Sequence, residues 1–443
     1  MTRSIGWARL IRTTAVATGL LTGASTLFAQ TATSTRNRSA AAAADRPTLK
    51  FGFARDRLAR VDAFLQSYVD SGRIGGVTAL VLRDGNVAYE RSVGWADVEG
   101  RRRMTMDAMF RIASQTKALT SVAIMMLFEE GKVALSAPVS RFFPAFAHTT
   151  VAVRSDTGRT IVPARREITI RDLLTHTSGI SYGTDSLVAP LYAAQGLGPV
   201  AGLGGWYLAD KDEPVCETME RVATLPFVRQ PGDAFVYGYN TDVLGCIVER
   251  VSGMPLDAFI ETRITRPLGM TDTHFFLPES KRQRLVAVYA SDSTNHAQRA
   301  PDGARGQGHY VDGPRKDFAG GAGLVSTARD YARLLEMLRQ GGELDRVRLL
   351  SRKTVELMTS NQVGTLYSAN GMGFGLGFSI VERVGADNTS LSTGSWGWGG
   401  AYGSIYRVDP AERITMVFMI NQLPNRTDVA AKFPIMVYQA LVK

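Results

Sequence analysis

Apolar and polar positions follow a helical period in several stretches of this chain. Over residues 56–70 apolar side chains recur every three or four positions, which predicts an amphipathic helix. The stretch from Ala118 to Phe128 differs, because it is apolar on every face and therefore predicts a buried central helix that ends at Gly131. The same helical pattern predicts further helices over residues 168–174, 244–251, 327–338 and 427–441.

Two pairs of β-rich segments lie near opposite ends of the chain. Residues 77–82 and 87–93 flank the Asp84-Gly85 dipeptide, which favours a tight hairpin turn. A second pair is predicted at residues 400–408 and 414–421, around Asp409-Pro410. We therefore predict an α/β fold of the α+β type, in which an antiparallel sheet built from both ends is flanked by helices and accompanied by a mostly helical subdomain.

The chain divides into three parts by composition. Residues 1–29 combine Arg3, Arg9 and Arg12 with an acid-free run of small and apolar residues, the arrangement of a secretory signal peptide. Residues 30–50 lack periodicity and predict a flexible spacer. Residues 51–443 are expected to form one domain, with the helical subdomain inserted at roughly 130–320. The protein is expected to be exported, periplasmic or secreted, with no stable membrane insertion after signal removal.

The distribution of charged residues and of histidines bears on two classes of function, nucleic-acid binding and metal binding. The formal charge of +10 falls to +7 when the leader, with its three arginines and no acidic residue, is removed. The basic residues are scattered and no DNA-binding motif accompanies them, so nucleic acid is not an expected partner. No histidine pair has ligand spacing, so we expect neither a metal nor another cofactor. The oligomeric state stays open.

The two cysteines, Cys216 and Cys246, allow either of two states. Export permits a disulfide, whereas the apolar sequence VLGCIVERV around Cys246 favours a small buried thiol. We expect the thiol, and the pairing stays open.

The sequence SQTK at residues 114–117 begins the predicted central helix. Side chains at positions i and i+3 share a helix face, so the amine of Lys117 can reach the hydroxyl of Ser114. Burial disfavours a charged ammonium, which lets a lysine act as a base at neutral pH. Free N–H groups at the helix start can bind a developing oxyanion. Alternatively, Ser114 only caps the helix and Lys117 lies on the surface, but the apolar flank leaves that lysine little solvent.

Two further segments carry candidate site residues. The sequence PGDAFVYGYN at residues 231–240 can present Tyr237 beside the serine as a partner in proton transfer, or its aromatics can simply pack against the next helix. The sequence GSWGWGGAYG at residues 394–403 has glycines that mark close approach of a ligand or of another backbone. The N–H of Ala401 is a candidate second donor of the oxyanion hole, and a bulge or strand crossing is the alternative interpretation.

Together these segments resemble the serine β-lactamase and penicillin-binding-protein superfamily, and within it the class C-like esterases called family VIII carboxylesterases. The resemblance runs from about Arg60 to the C-terminus and includes DLLTHTSG at 172–179, LGMTDT at 268–273 and GGAGLVST at 320–327. It implies a β-lactamase/transpeptidase-like fold, with Ser114 as nucleophile, Lys117 as its base and Tyr237 as the tyrosine of the Y-x-N element.

The chain departs from true β-lactamases at two places. Tyr239 stands where they carry asparagine, although Asn240 follows and a one-residue shift of register is possible. Trp398, Gly399 and Gly400 stand where they carry Lys-Thr-Gly. Since that lysine would bind the carboxylate of a β-lactam, the resemblance favours uncharged esters.

The predicted substrate-binding residues are accordingly Tyr239, Asn240, Trp398, Gly399 and Gly400. We expect a small-molecule ester or amide substrate and favour carboxylic esters. A β-lactamase or a D-amino-acid peptidase with the same acyl-enzyme is the alternative, and a non-catalytic peptidoglycan-binding protein belongs to another class.

A competing nucleophile motif, GISYG at residues 179–183, matches G-x-S-x-G at Ser181. A nucleophile elbow needs a strand before the serine and a helix after it. Here a predicted helix ends before Ser181 and a polar loop follows, so Ser114 is favoured. His176 is interpreted as a hydrogen-bonded scaffold residue.

Overall fold

The computed structural model describes residues 49–156, 158–202 and 205–443. The predicted signal peptide and residues 30–48 of the predicted spacer lie outside these residues. The prediction of an irregular spacer does not hold for its last two residues. Leu49–Lys50 form a short strand that pairs with Phe53–Ala54. Their backbone groups are therefore satisfied by the first residues of the domain.

An eight-stranded antiparallel sheet organises the unit Leu49–Lys443. Its central pairing joins Ile414–Met419 to Gly76–Arg83, so the hairpins from the two ends of the chain meet in one sheet, as the sequence predicts. The strands in spatial order are Met372–Phe374, Ser379–Val381, Trp396–Gly399, Ile405–Asp409, Ile414–Met419, Gly76–Arg83, Asn86–Asp97 and Arg102–Arg103.

The predicted strand over residues 400–408 is wrong in its first half. Residues 400–404 form a turn, closed by a hydrogen bond of 2.8 Å from the N–H of Gly400 to the carbonyl of Ser404. Gly403 has a φ of 90°, a left-handed conformation that glycine adopts at little cost. The strands on either side are Trp396–Gly399 and Ile405–Asp409.

Helices cover the sheet and fill the segment between its two hairpins. They are α1 (Arg55–Asp70), α2 (Thr116–Glu129), α3 (Ile170–Leu174), α4 (Ala189–Ala194), α5 (Val215–Thr224), α6 (Asn240–Ser252), α7 (Leu256–Ile260), α8 (Ala328–Arg339), α9 (Arg352–Met358) and α10 (Val429–Tyr438). Shorter strand pairs outside the main sheet are Phe110–Arg111 with Val325–Ser326, Thr150–Ser155 with Gly158–Pro163, Tyr289–Ser291 with Ala297–Arg299, and Glu343–Leu344 with Val347–Arg348. Within the described residues, no helix is long and apolar enough to cross a membrane.

The sheet has a buried core on each face. On one face Val77, Ala79 and Val81 pack with residues of α1 and α10. On the other, Leu80 and Leu82 join the core that contains α2 and α6. Because both faces are covered, the strand is buried at every position from Gly76 to Leu82, and all residues from Val77 to Leu82 except Thr78 are apolar.

Helix α2 is the buried central helix that the sequence predicts. Every residue from Thr116 to Leu127 is buried, including Lys117, which is 2% exposed. Helix α6 and the glycines at 320 and 321 pack against α2. A Cβ on Gly320 would lie 2.7 Å from the backbone carbonyl oxygen of Thr241 on α6, so this close approach requires glycine.

The expectation of a free buried thiol is wrong, because Cys216 and Cys246 form a disulfide. The bridge joins α5 to α6, which pack side by side with the two Cα atoms 5.2 Å apart. The apolar residues around Cys246 indicate only that it is buried. Bridged cysteines and free cysteines are both commonly buried. Local sequence therefore does not separate the two states.

Candidate active site

Ser114 lies in a single 3-10 turn, Ala113–Gln115, that leads directly into α2. The preceding Ala113 has a φ of 43°, in the left-handed region that a residue with a side chain rarely adopts. The turn packs against residue 400 so closely that a Cβ there would lie 2.5 Å from the carbonyl oxygen of Ile112. Glycine at position 400 therefore allows the two backbone segments to lie this close together.

The amine of Lys117 has three hydrogen-bond neighbours. Its Nζ lies 3.3 Å from the Oγ of Ser114, 3.0 Å from the phenol oxygen of Tyr182 and 2.7 Å from the carbonyl oxygen of Gly321. A carbonyl oxygen can only accept, whereas the two hydroxyls can donate or accept. A neutral amine can therefore donate to Gly321 and Tyr182 and turn its lone pair to the hydroxyl of Ser114.

The peptide group of Gly321 links this lysine to a buried carboxyl. Its N–H donates to Oδ1 of Asp242 at 2.9 Å, while its carbonyl accepts from Lys117. A Cβ on Gly321 would lie 2.5 Å from Oδ2 of Asp242, so glycine is required here too. Burial raises the pKa of Asp242 to about 6, against the opposing effect of Lys117 and of the Gly321 N–H.

Tyr182 was missed by the sequence analysis. Its side chain is 8% exposed and lines the cavity in front of Ser114 while contacting Lys117. Burial raises the pKa of Tyr182 well above its usual value, so the phenol stays protonated. Tyr182 belongs to the GISYG sequence, in which Ser181 is the alternative nucleophile. It is the tyrosine of that sequence, and not the serine, that reaches the site.

Ser181 itself does not line the cavity. It is 4% exposed and its Oγ accepts a hydrogen bond of 3.0 Å from the N–H of Gly183, which closes a local turn. Irregular chain precedes and follows it, rather than the strand and helix that a nucleophile elbow needs.

Tyr237 lies beside the lysine but its hydroxyl bonds elsewhere. The Nζ of Lys117 is 4.7 Å from the centre of the Tyr237 ring, and the phenol oxygen accepts a hydrogen bond of 3.1 Å from Nε1 of Trp398. The ring of His176 packs against that of Tyr237 at 4.7 Å. Tyr237 is therefore held between Lys117 on α2 and Trp398 on strand Trp396–Gly399.

His176 has the scaffold position expected of it. It is 1% exposed, and its Nδ1 lies 3.0 Å from Nδ2 of Asn240. Burial, with a smaller effect of Lys117, lowers the pKa of His176 well below its usual range, so the ring is neutral.

Two residues predicted to bind substrate do not line the cavity. Tyr239 and Asn240 are both fully buried. The phenol of Tyr239 donates to the carbonyl of Gly205, and Asn240 uses its amide on His176 and on the carbonyl of Val236. Their polar groups bond to the loops that precede α6, so these two residues support the site without facing the cavity.

A cavity of about 630 Å³ opens in front of Ser114. Its lining combines the predicted residues Ser114, Tyr237, Trp398, Gly399 and Ala401 with residues that the sequence analysis did not identify: Tyr182, Trp206, Tyr367, Met372, Ser379, Asp387, Ile405 and Arg407. Gly400 instead lines an adjoining cavity of about 570 Å³.

The backbone N–H groups of Ser114 and Ala401 are the predicted oxyanion hole. Among the described residues, neither N–H donates a hydrogen bond within the chain, although both residues line the cavity. Two free N–H donors that line one cavity could bind a negatively charged oxygen. Their roles, like those of Ser114, Lys117 and Tyr237, stay predictions.

Comparison with known proteins gives one family and several related enzymes. The Beta-lactamase family matches residues 61–440. Esterase EstB of Burkholderia gladioli is 31% identical over 377 residues, which cover 82% of this chain and 90% of EstB. A putative D-alanyl-D-alanine carboxypeptidase of Escherichia coli strain K12 is 28% identical over 398 residues, or 84% of each chain.

A solved structure supports the same relationship. EstCE1, described as a hydrolase with promiscuous acyltransferase activity, superimposes with a TM-score of 0.73 at 27% identity. The match covers 88% of this chain and 99% of EstCE1. The predicted superfamily and its β-lactamase/transpeptidase-like fold are therefore confirmed.

Proposed function

This chain belongs to the Beta-lactamase family of hydrolases, and on that premise we propose that it cleaves carboxylic esters through an acyl-enzyme on Ser114. One observation carries the proposal: the hydroxyl of Ser114 lies 3.3 Å from the buried amine of Lys117, at a cavity whose lining includes five aromatic residues. A hydroxyl becomes a good nucleophile when a neighbouring base takes its proton.

In the proposed acylation, the proton of the Ser114 hydroxyl passes to Nζ of Lys117 as the Oγ–carbon bond forms. The carbonyl electron pair moves to its oxygen, which the N–H groups of Ser114 and Ala401 stabilise. When the tetrahedral intermediate collapses, the carbon–oxygen bond to the alcohol breaks, and the proton returns to the leaving alkoxide through Lys117 and Tyr237. In the proposed deacylation, a water molecule gives a proton to the base as its oxygen bonds to the acyl carbon. The bond between that carbon and Oγ of Ser114 then breaks, the carboxylic acid leaves, and the proton returns to Oγ.

The cavity wall supports esters over β-lactams. Trp398 lies where true β-lactamases carry the lysine of Lys-Thr-Gly, and its indole donates to Tyr237 instead of offering a charge. EstB, at 31% identity, bears the name of an esterase. A D-amino-acid peptidase or β-lactamase with the same acyl-enzyme is the second candidate, which the carboxypeptidase name of the Escherichia coli relative favours.

Side-by-side rates on p-nitrophenyl butyrate and nitrocefin test this proposal. We expect ester turnover to exceed nitrocefin turnover, and Ser114→Ala to lose at least about a thousandfold in kcat on the ester. Nitrocefin turnover above ester turnover would reverse the ranking of the two candidates. A Ser114→Ala protein as fast as the parent would refute the nucleophile.

We further propose that the enzyme is exported, on the basis of residues 1–29. The disulfide between Cys216 and Cys246 supports an oxidising compartment, since structural disulfides persist there and are rare in the cytosol. N-terminal sequencing of the protein recovered from periplasm and medium tests it, because cleavage near Ala29 is expected. A chain that keeps its first residues and stays in the cytosol would contradict export.

A further inference from the structure

A second cavity lies beside the short strand Phe110–Arg111 that leads to Ser114. Its volume is about 370 Å³. Four arginines line it: Arg102, Arg111, Arg282 and Arg299. Among the described residues, none lines both this cavity and the reaction cavity. It is thus a space separate from the site of the proposed ester cleavage.

The guanidinium of Arg111 is buried without a counter-ion. Arg111 is 3% exposed, and it donates from Nε to the carbonyl of Gln307 at 2.8 Å and from Nη1 to that of Val286 at 2.6 Å. In the described part of the chain, Nη2 has no hydrogen-bond partner and Arg111 forms no ion pair. Three of its five N–H groups are therefore unused. A buried cation in this state is costly unless a ligand supplies the missing anion.

The aromatic neighbours of Arg111 do not neutralise it. Its guanidinium carbon lies 5.4 Å from the centre of the Tyr310 ring, which offers a quadrupole and no net charge. Burial raises the pKa of Tyr310 well above its usual value and that of Tyr402 to about 12, so both phenols stay protonated at neutral pH. Burial also lowers the pKa of Arg111, yet an arginine remains charged at neutral pH.

Arg102 adds a second unpaired cation to the same cavity. It is partly buried on the edge strand Arg102–Arg103 and donates from Nη2 to the carbonyl of Leu285 at 2.7 Å. The next carbonyl along the chain is the one that accepts from Arg111. Among the residues that the structure describes, the other four N–H groups of Arg102 have no partner, and it forms no ion pair. Both guanidiniums therefore keep unused donors.

Two carboxylates on the cavity wall belong to the other two arginines. Asp97 lies 3.5 Å from Nη1 of Arg299, and its effect on the pKa of Arg102 is smaller than the opposing effect of burial. Asp312 pairs at two points with Arg282. These carboxylates therefore leave Arg102 and Arg111 without a partner.

A glycine-rich loop completes the cavity wall. Gly303 and Gly308 line the cavity and have φ values of 81° and 68°, in the left-handed region that glycine adopts at little cost. The tight loop places the carbonyl of Gln307 on Arg111. Asp302, the third carboxylate on this wall, lies in the same loop and is exposed to solvent. The buried end of the cavity is therefore positive.

We propose that this cavity binds a doubly charged oxyanion, and that the group is phosphate, either free or as the monoester of a small molecule. Two arginines without counter-ions match two negative charges, which a phosphate monoester carries at about pH 8 and a single carboxylate does not. Guanidinium groups bind phosphate oxygens at two points, so the unused donors of Arg102 and Arg111 suit this ligand. The cavity has room for a small organic group besides the phosphate.

Equilibrium dialysis at about pH 8 with radiolabelled inorganic phosphate and radiolabelled glycerol 3-phosphate tests the proposal. We expect one saturable site per chain, from which acetate at equal concentration displaces little ligand. Tighter binding of glycerol 3-phosphate would identify a monoester as the ligand, whereas equal or weaker binding would identify free phosphate. Absence of saturable binding for both compounds, or equal competition by acetate, would overturn the proposal.

Substitutions inside the cavity separate this site from general salt effects. Arg102→Gln changes a partly buried side chain on an edge strand, so we expect a folded protein that binds phosphate roughly tenfold more weakly or worse. Arg111→Lys keeps a charge but loses the planar fork, and it is expected to weaken binding too. Arg305→Gln is the matched control, because Arg305 is exposed in the same loop and does not line the cavity. Unchanged binding in Arg102→Gln, or an equal loss in Arg305→Gln, would overturn the proposal.

Arg407→Gln shows which of the two cavities holds the anion. Arg407 lines the reaction cavity, so this variant is expected to bind phosphate as the wild type does. Binding that is lost in Arg407→Gln and kept in Arg102→Gln would place the anion beside Ser114 and contradict the proposal. Neither dialysis experiment needs turnover, so both results are independent of the proposed ester hydrolysis.

Thermal unfolding at constant ionic strength gives a second readout. A ligand that binds only the folded protein raises its melting temperature. Phosphate is therefore expected to raise the melting temperature of the wild type more than that of Arg102→Gln. An equal rise in both proteins would be a general salt effect and would count against a specific site.

Discussion

The amine of Lys117 and the carbonyl oxygen of Gly321 lie 2.7 Å apart, the shortest of the three contacts of that amine. The same peptide group is held from its N–H side by Asp242. The orientation of the proposed base therefore depends on a glycine more than two hundred positions further along the chain.

Removing the hydroxyl of Tyr182 should slow catalysis without weakening substrate binding. Tyr182→Phe deletes the 3.0 Å contact to Lys117, which leaves the amine with one fewer hydrogen bond. A bond to a group of this kind contributes roughly 1.5 kcal/mol, so we expect kcat to fall about tenfold with little change in KM. Steady-state kinetics on p-nitrophenyl butyrate measures both.

Tyr89→Phe is the matched control for that substitution. It deletes a phenol that bonds to Asp62 at 2.9 Å beside α1, on the face of the sheet away from α2. We expect its kcat to equal that of the wild type. An unchanged kcat in Tyr182→Phe would show that the phenol has no part in orienting the amine.

The buried carboxyl of Asp242 should make stability depend on pH. Its pKa of about 6 in the folded state exceeds the ordinary 3.8, so between these values the folded protein holds a proton that the unfolded chain has lost. Stability contributed by this group is therefore fully present below about pH 4 and falls as pH rises through about 6, by roughly 3 kcal/mol in total.

Asp242→Asn removes this titration while its amide oxygen can still accept from Gly321. We expect the free energy of unfolding of the variant, minus that of the wild type, to increase by roughly 3 kcal/mol between pH 4 and pH 7. Urea unfolding at a series of pH values gives this difference. A difference that does not change with pH would mean that Asp242 titrates normally.

The disulfide between α5 and α6 should stabilise the fold without affecting the chemistry. It joins cysteines that are 30 positions apart, and a closed loop of this size contributes roughly 3.5 kcal/mol. Replacing both cysteines with serine is expected to lower the free energy of unfolding by about that amount and to leave kcat unchanged at 25 °C. A double variant as stable as the oxidised parent would show that the bridge adds nothing.

An active-site phosphonate should label Ser114. Its Oγ lies on the cavity floor beside a base, whereas Ser181 is buried in a local turn. Peptide mass mapping after labelling is expected to place the modification within residues 114–117 and to find none in Ser114→Ala. Modification of the peptide that contains Ser181 would revive the G-x-S-x-G alternative.

Local sequence predicts what depends on local contacts. The helical period gave α1 and α8 within one or two residues, and the all-apolar stretch after Lys117 predicted the burial of α2, because exposure of such a helix would be costly. The spacing of Ser114 and Lys117 likewise follows from one helical turn.

What the sequence did not predict depends on contacts between distant segments. Tyr182 contacts an amine 65 positions away, and nothing around it distinguishes it from a packing tyrosine. The burial of Tyr239 and Asn240 follows from their place at the start of α6, against the loop of His176. Arg407 reaches the cavity because the residue opposite, Gly397, lacks a side chain, and register between strands is not visible in either segment alone.

The pairing of Gly76–Arg83 with Ile414–Met419 has a consequence for how the protein is made. The strand Gly76–Arg83, which is buried on both faces, emerges from the ribosome early, yet its neighbour strand is among the last segments to be synthesised. Contacts of such large sequence separation form slowly, so the nascent chain stays open to chaperones until translation is nearly complete. A chain terminated before residue 414 would leave Gly76–Arg83 as an exposed edge, which favours aggregation over accumulation of a folded fragment.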